Sequence, residues 1–259
     1  MAPFDAGPEE LARFQERGYL AVPGLLSPDE TRLLAALTER ELELEGGLLQ
    51  RRDARGVVTK LAVRNDLGDD VYSAIVRSRR IVDAMERFLG GEVYHYHHKL
   101  MVKEPRTGGA WEWHQDYGYW YGNGCLFPLM ASCLVAIGPA TRANGCLQVL
   151  EGSHLMGRLD HARRGDQTAA DPERVAVALE RLPVVHCELE PGGALFFHCN
   201  LLHRSDRNAS DEPRLSLIGC YNAARNDPYR EHHHPRYTPL EKWPDERVLA
   251  AARAQLAGR

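Results

Sequence analysis

The chain has no run of 18 or more apolar residues, so no transmembrane helix is expected. Its opening, MAPFDAGPEELARF, carries acids early and no apolar stretch, which argues against a secretory signal. Basic residues are not in excess: 32 Lys and Arg stand against 36 Asp and Glu, a formal charge of −4. That balance gives no reason to expect nucleic acid or an anionic membrane as a partner. Six cysteines (125, 133, 146, 187, 199 and 220) form no Cys-x-x-Cys pair. Structural zinc is therefore not expected, and free thiols in a reducing cytoplasm are. Internal repeats, low-complexity tracts and long linkers are also missing, so a single domain over residues 1–259 is the default. Nothing fixes an oligomeric state.

What remains is a globular composition, 44% apolar and 26% charged, sufficient for a sizeable core. The first 91 residues read as mainly helical. Pro8 and Glu9 open a helix that ends near Gly18, Tyr19 to Val22 is a short strand, and Ser27-Pro28 with Glu30 forms a capping box. The helix it opens carries Leu33, Leu34, Leu37 and Leu42 towards a core, runs to about Glu45 and stops at Gly46-Gly47. Residues 48–65 read as strands or loop, and Val71 to Leu89 as one helix. From Glu92 the texture changes to short β-rich segments (VYHYHHKLMVKE, LMASCLVAIG, GCLQVLEG, PVVHCELE, GALFFHCN, RLSLIGCYN), interrupted by a helix over Asp171 to Leu182. Helices followed by many short strands predict a mainly β protein, a sandwich or barrel with helices packed outside. Residues 92–225 form that core and 226–259 a C-terminal wrap, with a last helix around Asp245 to Ala257.

One stretch organises the chemistry. Trp111 to Tyr121, WEWHQDYGYWY, places six aromatics in eleven positions around His114 and Asp116. On an extended strand the i, i+2 spacing turns both side chains to one face. With a second histidine they would make the 2-His-1-carboxylate facial triad of non-haem Fe(II) oxygenases. His203 is the best-placed second histidine, at the end of the strand GALFFHCN. His198, five residues earlier, faces the opposite way in an unbroken strand. A hairpin-like return brings Arg214 to a neighbouring strand near the same end, where a buried guanidinium needs an anion, a carboxylate by preference. Ser205 shares the face of His203 and offers a hydroxyl to the same anion.

These pieces, in order, resemble the phytanoyl-CoA dioxygenase family of Fe(II)/2-oxoglutarate-dependent oxygenases. The resemblance runs through FQERGYLAVPGLLSPDE, HQD, NGCLQVLEGSH and LLHRS…PRLS and covers nearly the whole chain. It implies a double-stranded β-helix (jelly-roll, cupin-like) core with N-terminal helices outside, and His114, Asp116 and His203 as the catalytic iron ligands. It further implies Arg214, assisted by Ser205, on the distal carboxylate of 2-oxoglutarate, with Lys60 or Lys99 as a further basic contact. Three protein ligands on one face leave positions for 2-oxoglutarate and O2. The activity implied is hydroxylation of an unactivated C–H bond in a small soluble metabolite, with release of succinate and CO2. Related halogenases carry a small apolar residue where this chain has Asp116, so oxygenation is expected rather than halogenation.

Tyr119, Trp120 and Tyr121, read as a loop past the strand, are the candidate substrate contacts. Strand parity sends Trp111, Trp113 and Tyr117 to the far face. An aromatic entrance would suit a cationic or flat substrate. His95, His97 and His98 are expected to be structural or cavity-lining, His232 to His234 exposed, and Ser153-His154 structural. Two other classes stay open: a non-catalytic metal-binding jelly roll, and a cupin-type metalloenzyme or zinc hydrolase that does not use 2-oxoglutarate. Arg214 separates them, because without a keto acid its charge has no assigned partner.

Overall fold

The alternating segments after Glu92 do become strands, and the computed structural model shows how they stack. It describes residues 4–43, 48–53 and 55–258, so the expected helix stop at Gly46-Gly47 lies outside the described residues. In chain order the strands are β1 (Tyr19–Val22), β2 (Leu49–Arg52), β3 (Val58–Arg64), β4 (Val93–Lys103), β5 (Trp111–His114), β6 (Met130–Ala136) and β7 (Leu147–Leu150). They continue as β8 (His161–Arg164), β9 (Gln167–Ala170), β10 (Val184–Cys187), β11 (Ala194–His198), β12 (His203–Ser205) and β13 (Arg214–Ala223). The helices are α1 (Pro8–Arg17), α2 (Pro28–Glu43), α3 (Val71–Val76), α4 (Arg79–Leu89), α5 (Asp116–Trp120), α6 (Pro172–Arg181) and α7 (Glu246–Leu256). Among the described residues no helix is long and apolar enough to cross a membrane.

Two antiparallel sheets make the jelly-roll core. The larger runs β1-β11-β6-β13-β4-β3-β2 and the smaller β10-β7-β12-β5, with β8-β9 as a separate hairpin. β6 shows why its segment reads as an almost continuous apolar run. Ala131, Cys133 and Val135 pack against the helices, while Leu134 and Ala136 face the second sheet, so the strand is buried on both sides. The helical layer, α1 to α4 with α7, covers the outer face of the larger sheet around Phe14, Leu34, Ile75, Met85 and Phe196. Glu30 completes the capping box by accepting from the Ser27 amide at 2.8 Å. It also grips Arg80 of α4 through two hydrogen bonds of 2.9 and 2.6 Å, both side chains being buried.

The single helix expected over Val71 to Leu89 is two. Ser78 takes an extended backbone (φ −65°, ψ 144°) and caps α4. The break arises because the C-terminal segment pairs there: the Arg79 amide donates to the Trp243 carbonyl and the Trp243 amide to that of Arg77. A contact more than 160 residues distant in sequence thus overrides local propensity.

Candidate metal centre

β5 and β12 are neighbours in the smaller sheet, and their register sets His114 opposite His203. The rings stand 4.0 Å apart, centroid to centroid. Each imidazole spends its Nδ1 proton locally: His114 donates to the Glu112 carbonyl at 2.8 Å and His203 to that of Leu201 at 2.9 Å. That fixes the tautomer and leaves both Nε2 lone pairs free as ligands. Asp116 Oδ1 lies 3.7 Å from His114 Nε2 and 3.9 Å from His203 Nε2. All three side chains are buried, and their ligand atoms lie within 4.8 Å of one another, the sole such cluster among the described residues.

Asp116 reaches this position by a route other than strand parity. β5 ends at His114, and Asp116 is the first residue of α5. Gln115 makes the turn. Its fully buried amide donates to the carbonyls of Gly157 and Asn200, both at 2.7 Å, and its oxygen accepts from the Leu159 amide at 2.7 Å. His161 Nε2 accepts from the Gln115 amide at 2.9 Å. The other carboxylate oxygen of Asp116 accepts from Ser132 of β6 at 3.3 Å. Burial alone would raise the Asp116 pKa, but Lys99 and the two histidines outweigh it and hold the carboxyl well below its usual range. Burial, reinforced by His114, pushes His203 down to about 3. The site therefore turns two imidazole Nε2 atoms and an anionic oxygen to one point, the donor set a metal requires.

The expected hairpin between His203 and Arg214 does not form. β12 belongs to the smaller sheet and β13 to the larger, and residues 206–213 cross between them. The crossing is pinned where Lys103 donates to the Asp206 carbonyl and Asn208 to the Lys103 carbonyl, the latter at 3.1 Å. Arg214 is fully enclosed at the start of β13, in register with Lys103 of β4. One nitrogen donates to the Gly145 carbonyl at 2.6 Å, and among the described residues its Nε has no partner and no carboxylate neutralises it. Burial lowers its pKa to about 10. Ser216, two residues on, is a second buried group without a partner, and Ser205 lies buried on β12. Lys103, which burial and the proximity of Arg214 push towards deprotonation, is a further buried cationic side chain here that the sequence reading did not single out. Its signal was present: it lies four residues after Lys99 on the same strand.

A cavity of about 590 Å³ opens onto His114 and Asp116 and is lined as well by Trp111, Tyr119, Trp120, Lys99 and His97, among others. Tyr119 and Trp120 belong to its wall, but on helix α5 rather than a loop. Tyr121 does not: it is 46% exposed and lies under the Arg158 guanidinium, 4.7 Å from ring to charge. Lys60 is likewise outside the wall, paired with Glu104 at 2.5 Å. Trp111 lines the cavity against the parity expectation, because a bulge at His203/Ser205 breaks the alternation between β5 and β12. His198 sits at the end of β11 beside His154 and Phe14, away from the triad. His232 and His233 are exposed as expected, yet with the half-buried His234 they form the cavity rim. A larger groove of about 790 Å³, lined by Phe4, Leu25, Leu26 and Ile137, lies on the helical side, away from the triad.

A family model described as phytanoyl-CoA dioxygenase (PhyH) matches residues 14–216, a span that takes in the triad, Lys103 and Arg214. The chain belongs to that family. L-proline trans-4-hydroxylase of Streptomyces griseoviridis is 29% identical over 232 residues, covering 83% of this chain and 86% of its own. An ectoine dioxygenase of Bordetella parapertussis is 27% identical over 234 residues, covering 84% and 76%. Among solved structures, EctD from S. alaskensis with bound Fe superposes with a TM-score of 0.78 at 23% identity, over 95% of this chain and 90% of that one. The carbocyclase SnoK from nogalamycin biosynthesis gives 0.69 at 21%, over 92% and 100%. These likenesses establish the PhyH jelly roll. In a PhyH member the donor set, two imidazoles with free Nε2 and one ionised carboxylate, fits a ferrous ion.

Proposed function

We propose that this PhyH protein hydroxylates an unactivated C–H bond of a small free metabolite, using Fe(II), 2-oxoglutarate and O2. The observation that carries the cosubstrate is Arg214: an enclosed guanidinium with an unpartnered Nε and no carboxylate of its own. A dicarboxylic keto acid supplies that missing anion, and the reading without 2-oxoglutarate leaves the charge unexplained. When bound, the ferrous ion and 2-oxoglutarate supply O2 activation, giving succinate, CO2 and one hydroxyl on the substrate.

The chain's own residues supply placement. His114, Asp116 and His203 would hold the ion, with Ser132 orienting the carboxylate of Asp116. Arg214 and Lys103, supported by Ser205, would orient the distal carboxylate of 2-oxoglutarate. Lys103 replaces Lys60 in this reading, since Lys60 is occupied by Glu104. Trp111, Tyr119 and Trp120 exclude water from the reacting carbon. The two relatives are named for L-proline and ectoine, and a small free metabolite of that kind is the substrate class we infer.

The test is succinate release from 2-oxoglutarate by purified protein with Fe(II), scored across a metabolite panel. His114→Ala and Asp116→Ala should each lose turnover by a factor on the order of a thousand or more. Protein that binds neither Fe(II) nor 2-oxoglutarate by calorimetry defeats the proposal.

A further inference from the structure

The cavity wall holds an ammonium group that the protein leaves without a partner. Lys99 stands on β4 between Val63 of β3 and Ile218 of β13, and lines the cavity beside His114, Asp116 and Trp111. The other two lysines of this region have assignments of their own: Lys60 pairs with Glu104, and Lys103, which donates to the Asp206 carbonyl, stands with Arg214 for the cosubstrate. Among the described residues Lys99 makes neither a hydrogen bond nor a close ion pair. Burial opposes its charge, and Asp116, with a lesser contribution from Cys220, favours it. Asp116, however, is the carboxylate that the metal would take up. In the oxygenase reading, the charge of 2-oxoglutarate is met by the metal and Arg214. The half-buried Lys99 ammonium then remains in the cavity wall without a counter-ion.

Another part of the wall has the complementary character. Asn65, just beyond β3, holds the C-terminal segment by both ends of its amide: Nδ2 donates to the His233 carbonyl at 2.6 Å and Oδ1 accepts from His234 Nδ1 at 2.8 Å. The Nδ1 proton of His234 is therefore engaged, and its Nε2 carries the lone pair. The ring stacks on His97, centroids 4.3 Å apart and planes within 14°. His97 is 4% exposed and its Nδ1 has no partner. Burial, with His233 and His232 adding to it, keeps His234 neutral, its pKa lowered to about 3. The rim thus offers acceptor nitrogen, Lys99 offers a cation, and Trp111, Tyr119 and Trp120 offer apolar surface in the same wall.

We propose that the substrate is a small zwitterion whose carboxylate is held by Lys99 and whose amine faces the imidazole of His234, on a strap latched by Asn65. This rests on the oxygenase reading above and assigns Lys99 to the substrate rather than to 2-oxoglutarate. It also replaces the cationic or flat substrate that the aromatic run suggests on its own.

The test is anaerobic calorimetry on protein loaded with Fe(II) and 2-oxoglutarate, titrated with matched acid and amide pairs: L-proline and L-prolinamide, L-valine and L-valinamide, L-lysine and L-lysinamide. At least one acid should bind 30-fold or more tightly than its amide. Lys99→Met should bring that pair within threefold while leaving 2-oxoglutarate affinity within threefold of wild type, and Lys99→Arg should restore the preference. Should Lys99→Met not fold, Lys99→Gln carries the same comparison. His234→Phe, at the rim, should weaken the preferred acid by about tenfold and leave its des-amino analogue unchanged. A panel with no acid preference overturns the proposal. So does a Lys99 variant that loses 2-oxoglutarate binding by more than tenfold. Wild-type protein that binds no 2-oxoglutarate at all instead removes the oxygenase reading, which keeps the two failures apart.

Discussion

Replacing Arg214 with methionine should weaken 2-oxoglutarate binding and yet leave the empty protein as stable as before, or more so. The guanidinium is fully buried and its pKa is pushed down to about 10. At ~1.4 kcal/mol per unit, that places a penalty on the order of 3 kcal/mol on the charged form in the empty site. Against this stands the hydrogen bond to the Gly145 carbonyl. Its loss, with an acceptor left unpaired, costs about 1–3 kcal/mol. The difference runs from roughly zero to 2 kcal/mol in favour of Arg214→Met. For a protein of this size that corresponds to a melting temperature unchanged or raised by up to about 8 °C. The cosubstrate sees the opposite sign, because truncating one partner of a buried charge pair costs about 2–5 kcal/mol. That is roughly a 30-fold to several-thousand-fold loss of affinity. Calorimetry with 2-oxoglutarate and thermal melts of the metal-free protein, run on the same preparations, check both halves. Affinity within twofold of wild type would refute the assignment of Arg214. A melting temperature lowered by 10 °C would refute the claim that its charge is unpaired.

The remaining predictions concern support and protonation. Gly145→Ala would set a Cβ 2.2 Å from the Asp206 carbonyl oxygen, at a backbone φ of +76°. Overpacking and the left-handed backbone together should cost on the order of 2–4 kcal/mol. Because Gly145 and Asp206 are the carbonyls that position Arg214 and Lys103, 2-oxoglutarate affinity should fall as well, measured as above. Buried histidines outside the triad set the acid limit: burial lowers His95 to about 3 and His98, His161 and His198 to about 4. Unfolded histidine titrates near ~6.5, so as pH falls the unfolded chain takes up these protons first. Their contribution is whole above about pH 6.5 and is lost towards pH 4, at about 1.4 kcal/mol per pH unit for each group. The denaturant midpoint should therefore drop between pH 7 and pH 5, and a midpoint that rises would contradict this.

Much of the centre was legible because its parts are adjacent in sequence or match a recognisable pattern. His114 and Asp116 sit two apart, and His203, Ser205 and Arg214 fall within twelve residues. Periodicity was enough to place most strands of a mainly β chain, though not the β8-β9 hairpin or α5, and capping residues to mark Ser27 and Asp171 as helix starts. Local reasoning failed where a distant segment decides the outcome. Trp243 splits one helix into two, a bulge turns Trp111 into the cavity, and the strand ends before Asp116 because Gln115 is gripped by two other loops. Lys60, Lys99 and Lys103 are alike in sequence, and only their neighbours distinguish them: Glu104 for one, an open cavity for the second, Arg214 and Asp206 for the third.

Residue type and spacing by themselves pointed to His114, Asp116 and a mainly β fold, and the family resemblance added His203 and Arg214 as candidates, since donor chemistry and period belong to the local chain. The tertiary structure alone decided the shape and charge of the cavity, because that depends on which side chains different strands and the C-terminal strap bring face to face. His97 and His234, 137 positions apart in the chain and stacked at 4.3 Å, are the clearest case.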